Sequence, residues 1–111
     1  MRICITSKGA DPQDPLEERF GRAPYFLIID QKTGKWTTIT NPFAAEVGGV
    51  GPRAAQILVD NDVSVVITGN VGGNARAALE SAGIDVFLIR EAATAASAYE
   101  RYQKGSLQPL Y

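Results

Sequence analysis

An α/β fold of three layers around a mixed sheet is what this sequence predicts, and a few observations predict it. Apolar runs of strand length alternate with segments of helical period through the second half of the chain. Two of the earlier runs are joined by a short glycine-bearing turn, and glycine-rich loops stand at the entrances to helices. In chain order the elements read β-β-β-α-β-α-β-α.

Residues 2–6, RICIT, are β-branched and apolar enough for a short strand. SKGADPQDPLEE follows, where Gly9, Pro12 and Pro15 break regular structure. YFLII (25–29) is a continuous apolar run and WTTIT (36–40) a third strand. Gly34, in the intervening DQKTGK, supplies the positive φ of a hairpin turn, so these strands are expected as antiparallel neighbours. The period then changes. GGVGPRAAQILVDN has Pro52 at a first helical position, where a missing N–H costs nothing, and an apolar face of Ala54, Ala55, Ile57, Leu58 and Val59. VSVVITG (63–69) is the apolar strand expected when both faces are covered. NVGGNARAALESAG is a second helix, with Ala75, Ala78, Leu79 and Ala82 at helical spacing and Gly83 as its stop. IDVFLI is the fifth strand. Thr94 caps a third helix, in which Ala95, Ala98, Tyr99 and Tyr102 share one side before Gly105 ends it. SLQPLY reads as a tail lying on the body.

Composition excludes more than it suggests. With 111 residues, a net charge of −1 and 45% hydrophobic content, the chain suits one domain over residues 1–111. No apolar run approaches the roughly 20 residues of a membrane span. MRICITSKG turns polar too soon for a signal peptide, so a cytoplasmic address is expected. Cys4 is the only cysteine and histidine is absent, which rules out an intramolecular disulfide, the familiar zinc sets, and Cys–His or Ser–His catalysis within one chain. Inside its strand Cys4 reads as a small buried hydrophobe, with a thiolate ligand as the rival reading. Near-neutral charge without a basic block argues against nucleic acid as a partner.

Ligands of open α/β sheets sit beyond the C-terminal ends of the parallel strands. With the first strand central, paired to the second and fourth, several loops meet at that edge. They are Ser7-Lys8-Gly9, then Arg19-Phe20-Gly21-Arg22, then Asn41 with the glycines Gly48, Gly49 and Gly51, and the run from Gly69 through Asn70, Gly72 and Gly73 to Asn74. Helix N-termini favour an anion, glycine admits a ligand close to the backbone, and Lys8, Arg19, Arg22 and Arg53 add charge. The candidate binding set is therefore Ser7, Lys8, Arg19, Phe20 as an apolar wall, Arg22, Gly49, Gly51, Asn70, Gly72, Gly73 and Asn74. The plainer reading makes the glycines turn and cap devices and the arginines ordinary surface charge. Neither loop is a GxGxxG or GxxxxGK[ST] fingerprint.

FGRAPYFLIID, GGVG, VVITGNVGGNA, GI-V and YQKGSL occur in an order that resembles the dinitrogenase iron–molybdenum cofactor biosynthesis family over nearly the whole chain. The resemblance implies a ribonuclease-H-like α/β/α fold whose five strands run in the order 3-2-1-4-5 with the second antiparallel. It also implies a carrier or chaperone of an anionic metal–sulfur cluster, containing molybdenum or iron or both, with copper admissible, and a protein partner in cluster assembly or transfer. Ribonuclease chemistry is not implied, because the first strand carries no carboxylate for a two-metal clamp. Relatives that ligate clusters through histidine or several cysteines also differ from this chain. Retention is expected to be non-covalent and outer-sphere, through backbone N–H groups, arginine or lysine and apolar walls, with no metal ligand assigned. The rivals are a regulatory or protein-interaction domain without a cluster, and an enzyme acting on a small anionic molecule, for which no nucleophile–base pair is visible.

Overall fold

The computed structural model describes residues 1–46 and 50–111. Its strands are β1 (Arg2–Ser7), β2 (Tyr25–Asp30), β3 (Lys35–Thr40), β4 (Val63–Thr68), β5 (Asp85–Leu88) and β6 (Gln108–Pro109), and its helices α1 (Val50–Asp60), α2 (Gly73–Ser81) and α3 (Ala95–Gln103). They form one sheet in the order β3-β2-β1-β4-β5-β6. β1 pairs antiparallel with β2 and parallel with β4, and β5 extends the parallel part beside β4. β1 is central because it is apolar toward both faces. Cys4 faces one core, Ile3 and Ile5 the other, and all three are fully buried.

Helices cover both faces. Ala54, Ala55 and Leu58 of α1 and Ala75 and Leu79 of α2 join the Cys4 side, while Ala95 and Ala98 of α3 join the Ile3 and Ile5 side. Full burial of a side chain such as Leu58, Leu79 or Phe26 contributes roughly 1.5–3 kcal/mol, so these stripes are what hold the layers together. The small residues let α1 and α2 approach closely. A Cβ on Gly51 would lie 2.7 Å from that of Ala75, so the start of α1 must be glycine to keep this contact. On the other face the Thr94 hydroxyl accepts from the Ser97 N–H at 3.1 Å and Ser97 answers in a reciprocal cap. Gly34 turns the β2–β3 hairpin at φ +72°, as its sequence predicts.

Several expectations are corrected. The sheet has six strands rather than five, because the C-terminal segment, expected as a tail lying on the body, joins the sheet as an edge strand. Gln108 and Pro109 pair with Leu88 and Phe87, the Leu110 N–H donates to the Val86 carbonyl at 2.8 Å, and the Tyr111 hydroxyl donates to the Ile84 carbonyl. These contacts cover an edge of β5 that would otherwise present unpaired backbone groups. Pro52 is the third residue of α1 rather than the first, still within the turn whose N–H groups lack helical partners. Val59 is exposed and Ala82 lies past the end of α2, so the apolar stripes are narrower than the sequence suggests.

Candidate functional site

The segment 17–20 is brought to the sheet edge by matching ends of β1 and β4. The Glu17 N–H donates to the Thr6 carbonyl at 3.0 Å, and the Thr6 hydroxyl donates back to the Glu17 carbonyl at 2.6 Å. From β4, the Gly69 N–H donates to the Glu18 carbonyl at 3.1 Å. The Phe20 N–H in turn donates to the Asn70 carbonyl at 3.1 Å. The contact is close enough to dictate a residue: a Cβ on Gly69 would stand 3.0 Å from the Glu18 Cα and carbonyl oxygen. A 3₁₀ turn, Phe20–Arg22, follows, and its anchor is the Phe20 ring, buried 5.8 Å from that of Phe26.

This docking leaves a cleft of about 270 Å³ between the arginine turn and the starts of α1 and α2. Arg19, Phe20, Arg22, Gly51, Asn70, Gly72, Gly73 and Asn74 of the expected set line it. Ser7 and Lys8 do not. Ser7 is fully buried, with its hydroxyl donating to the Gly9 carbonyl at 2.7 Å, and Lys8 is exposed outside the cleft lining. The chain turns away after β1 because the Lys8 N–H is taken by the Pro15 carbonyl at 2.9 Å. Gly48 and Gly49 lie outside the described residues. Phe20 contributes little open wall, being 2% exposed.

The wall formed by Gly72 and Gly73 has no structural need of glycine. Gly72 has an ordinary φ of −69°, and a Cβ at either position would meet nothing within 4 Å. Here glycine leaves space beside the cleft. Gly72 is also the N-cap of α2, and neither a side-chain cap nor an acidic residue in the first turn serves that end. The first N–H groups of α2 are therefore left to whatever occupies the cleft.

The charges divide. Arg19 has a side chain 67% exposed, and its Nε lies 3.5 Å from the Glu17 carboxylate. Arg22 Nη1 donates to the carbonyls of Ala44, at 3.4 Å, and Glu46. Arg53, expected at the rim, instead donates to the Glu46 carboxylate at 2.8 Å and lies over the Phe43 ring at 5.4 Å. It lines a separate small depression with Gln56, Ile57 and Asp60. Cys4 is wholly buried, and desolvation pushes its thiol far above the usual range, so it stays protonated. Among the described residues no three His, Cys, Asp or Glu side chains gather as a metal site.

The expected set omits Pro52 and Ala75 of the lining, each beside an expected residue, and Gly21, which the sequence placed at this edge without counting it in the set. It also missed the threonines. RICIT and VVIT both end in threonine at the same edge, and that was the available signal. Two larger clefts flank the end of β5 around Leu88, Ile89 and Arg90; one also touches Gly69, Asn70 and Val71, but neither is lined by residues of α1 or α2.

A family model described as dinitrogenase iron-molybdenum cofactor matches residues 1–105. Two solved structures are similar over nearly the full chain. A Thermotoga protein, described as a candidate NifB protein of the DUF35 family and solved by NMR, is 36% identical, with 98% of this chain and 92% of that one covered and a TM-score of 0.88. The apo form of the orange protein from Desulfovibrio gigas is 32% identical, with 99% and 96% covered and a TM-score of 0.92. No curated protein matches the chain.

Proposed function

The chain belongs to the dinitrogenase iron-molybdenum cofactor family, and from that premise we propose that it is a non-catalytic carrier of an anionic metal–sulfur cluster containing molybdenum or iron. The observation that carries this reading is the wall of Gly72 and Gly73, which leaves open space at an uncapped helix end beneath an arginine rim. Sulfide and oxo surfaces accept hydrogen bonds, and this cleft offers donors: the N–H groups opening α2, the Asn74 side chain and Arg19. Pro52 and Ala75 add apolar contact.

The retention we propose is outer-sphere. Cys4 is held protonated inside the core, and no trio of metal-binding side chains gathers among the described residues. Such contacts form and break without ligand exchange at the metal, which suits a cargo that must be handed on. A protein partner that loads or unloads the cluster, and a cytoplasmic setting, go with this reading. We also take the fold to be ribonuclease-H-like, on the strength of the order β3-β2-β1-β4-β5 with β2 antiparallel.

The test is anaerobic reconstitution with molybdate or iron salts and sulfide, with and without copper, followed by desalting. A carrier keeps metal, sulfide and a visible absorption band on the protein in fixed ratio. A colourless, metal-free protein after every combination would sink the reading.

A further inference from the structure

Arg19 and Arg22 line the same cleft on either side of a short turn, yet their guanidinium groups keep different company. Arg22 Nη1 points to the segment after β3, donating to the carbonyls of Ala44, at 3.4 Å, and Glu46. That segment is held elsewhere too. Asn41, 4% exposed, donates through Nδ2 to the carbonyls of Gly21 at 3.2 Å and Ala23 at 2.9 Å. Arg53 grips it from α1 through the Glu46 carboxylate at 2.8 Å. Turning Arg22 toward a ligand would give up two carbonyl contacts, the one at Ala44 part-buried, and with them its hold on this segment.

Arg19 is under no such obligation. Among the described residues its guanidinium meets only Glu17, through Nε at 3.5 Å, a long contact on a largely hydrated side chain. Reorienting it toward an anion in the cleft gives up little.

Resting on the carrier reading, we infer that the two arginines divide the work. Arg22 is a positioning residue that braces residues 41–46 against the turn and sets the shape of the cleft. Arg19 is the guanidinium that meets the anion.

The experiment titrates the full chain with tetrathiomolybdate at several ionic strengths, for the wild type, Arg19→Gln and Arg22→Gln. It also records carbonyl-carbon NMR shifts of Ala44 and Glu46 before any ligand is added. Arg19→Gln should weaken binding about ten-fold or more and flatten its salt dependence, as loss of a charged contact requires. Arg22→Gln should move the Ala44 and Glu46 carbonyl resonances in the free protein and weaken binding a few-fold, with the salt dependence kept. If that variant does not fold, Arg22→Lys replaces it, keeping the charge without the guanidinium. A brace predicts weaker binding there too, whereas a charge contact predicts wild-type binding. The inference is overturned if Arg22→Gln flattens the salt dependence as Arg19→Gln should, if it leaves affinity or the free carbonyl shifts unchanged, or if Arg19→Gln binds like the wild type. A wild type that binds no tetrathiomolybdate would overturn the Arg19 assignment, while the carrier reading is decided separately by the reconstitution with iron, molybdate and sulfide. The brace would still be decided by the carbonyl shifts of the free protein.

Discussion

The hydroxyl oxygens of Thr6 and Thr68 lie 2.8 Å apart at the adjoining C-terminal ends of β1 and β4. Both residues are fully buried, and each hydroxyl also reaches the incoming arginine segment, Thr6 at the Glu17 carbonyl (2.6 Å) and Thr68 at that of Glu18 (3.4 Å). The pair joins two strands and a loop without a charge. It explains why a chain section containing two prolines and four acidic residues ends in a fixed place.

Thr6→Val should therefore cost about 1–3 kcal/mol, because it leaves the Glu17 carbonyl without its side-chain donor. Thr68→Val should cost less, since its own bond to the loop is longer. Urea denaturation gives the magnitudes. Amide exchange gives the location, with faster exchange expected at Gly69 and Phe20, whose N–H groups bind across the same seam. Valine variants with wild-type midpoints and unchanged exchange would mean the hydroxyls pin nothing.

Glycines in this region should respond in opposite ways. Gly69→Ala places a methyl 3.0 Å from the Glu18 backbone and must push the arginine segment outward, at roughly 1–3 kcal/mol for an overpacked contact. Gly72→Ala meets open space at an ordinary φ, and its gain of about 0.4–1 kcal/mol through the unfolded chain is set against a loss at the N-cap, where glycine is preferred to alanine, so the fold should change little. Its effect should be on cluster retention, measured after the reconstitution described above. Retention equal to the wild type in Gly72→Val, which adds more bulk, would show that the open space serves no ligand.

Cys4 makes a prediction about pH. Burial raises the folded thiol above its ordinary value of 9.0, while the unfolded chain titrates near that value. Below pH 9 neither state loses the proton and stability is unaffected by this group. Above it, the unfolded state alone ionises, so stability falls by up to about 1.4 kcal/mol per pH unit. Cys4→Ala should remove that part of the slope, measured by denaturant titrations from pH 8 to 10. The native thiol should likewise resist alkylation until the protein unfolds. A slope unchanged in Cys4→Ala, or rapid native alkylation, would contradict the buried, protonated thiol.

Much of this fold was legible because local patterns and packing agree. YFLII, VSVVITG and the Thr94 cap each mark an element that tertiary contacts then use. The hairpin glycine gave only the pairing of β2 with β3, whereas the full strand order was implied by the family resemblance and a supposed central β1. The sixth strand was not legible, since Gln108–Pro109 has no strand pattern and exists only because β5 offers an edge. The site divided in the same manner. Residues opening helices could be grouped by topology alone, so the entrances of α1 and α2 and the arginine turn were found together. Ser7 and Lys8 fall outside the cleft lining because residues 9–16 fold back over the end of β1, which the sequence reading took as open rim. Which arginine is committed to backbone carbonyls depends on the turn after β3, and no periodicity encodes that.

The last prediction tests the cleft by position. In an NMR titration with tetrathiomolybdate, the backbone amides of residues 19–22, Gly51, Asn70 and residues 72–75 should shift together, for they line one cavity though they are distant in sequence. Lys8 separates this arrangement from the one expected on topology alone, because its N–H is bonded to Pro15 and its chain lies outside the lining. It should stay quiet. The hairpin tip at residues 31–34 should stay quiet as well, since the β2–β3 turn stands at the opposite end of the sheet from the ends of β1 and β4. Shifts confined to residues 88–91 and 106–108 would move the site to the cleft between the end of β5 and the start of β6. Shifts scattered over all arginines would indicate only loose attraction of an anion to surface charge, and should then vanish with modest added salt.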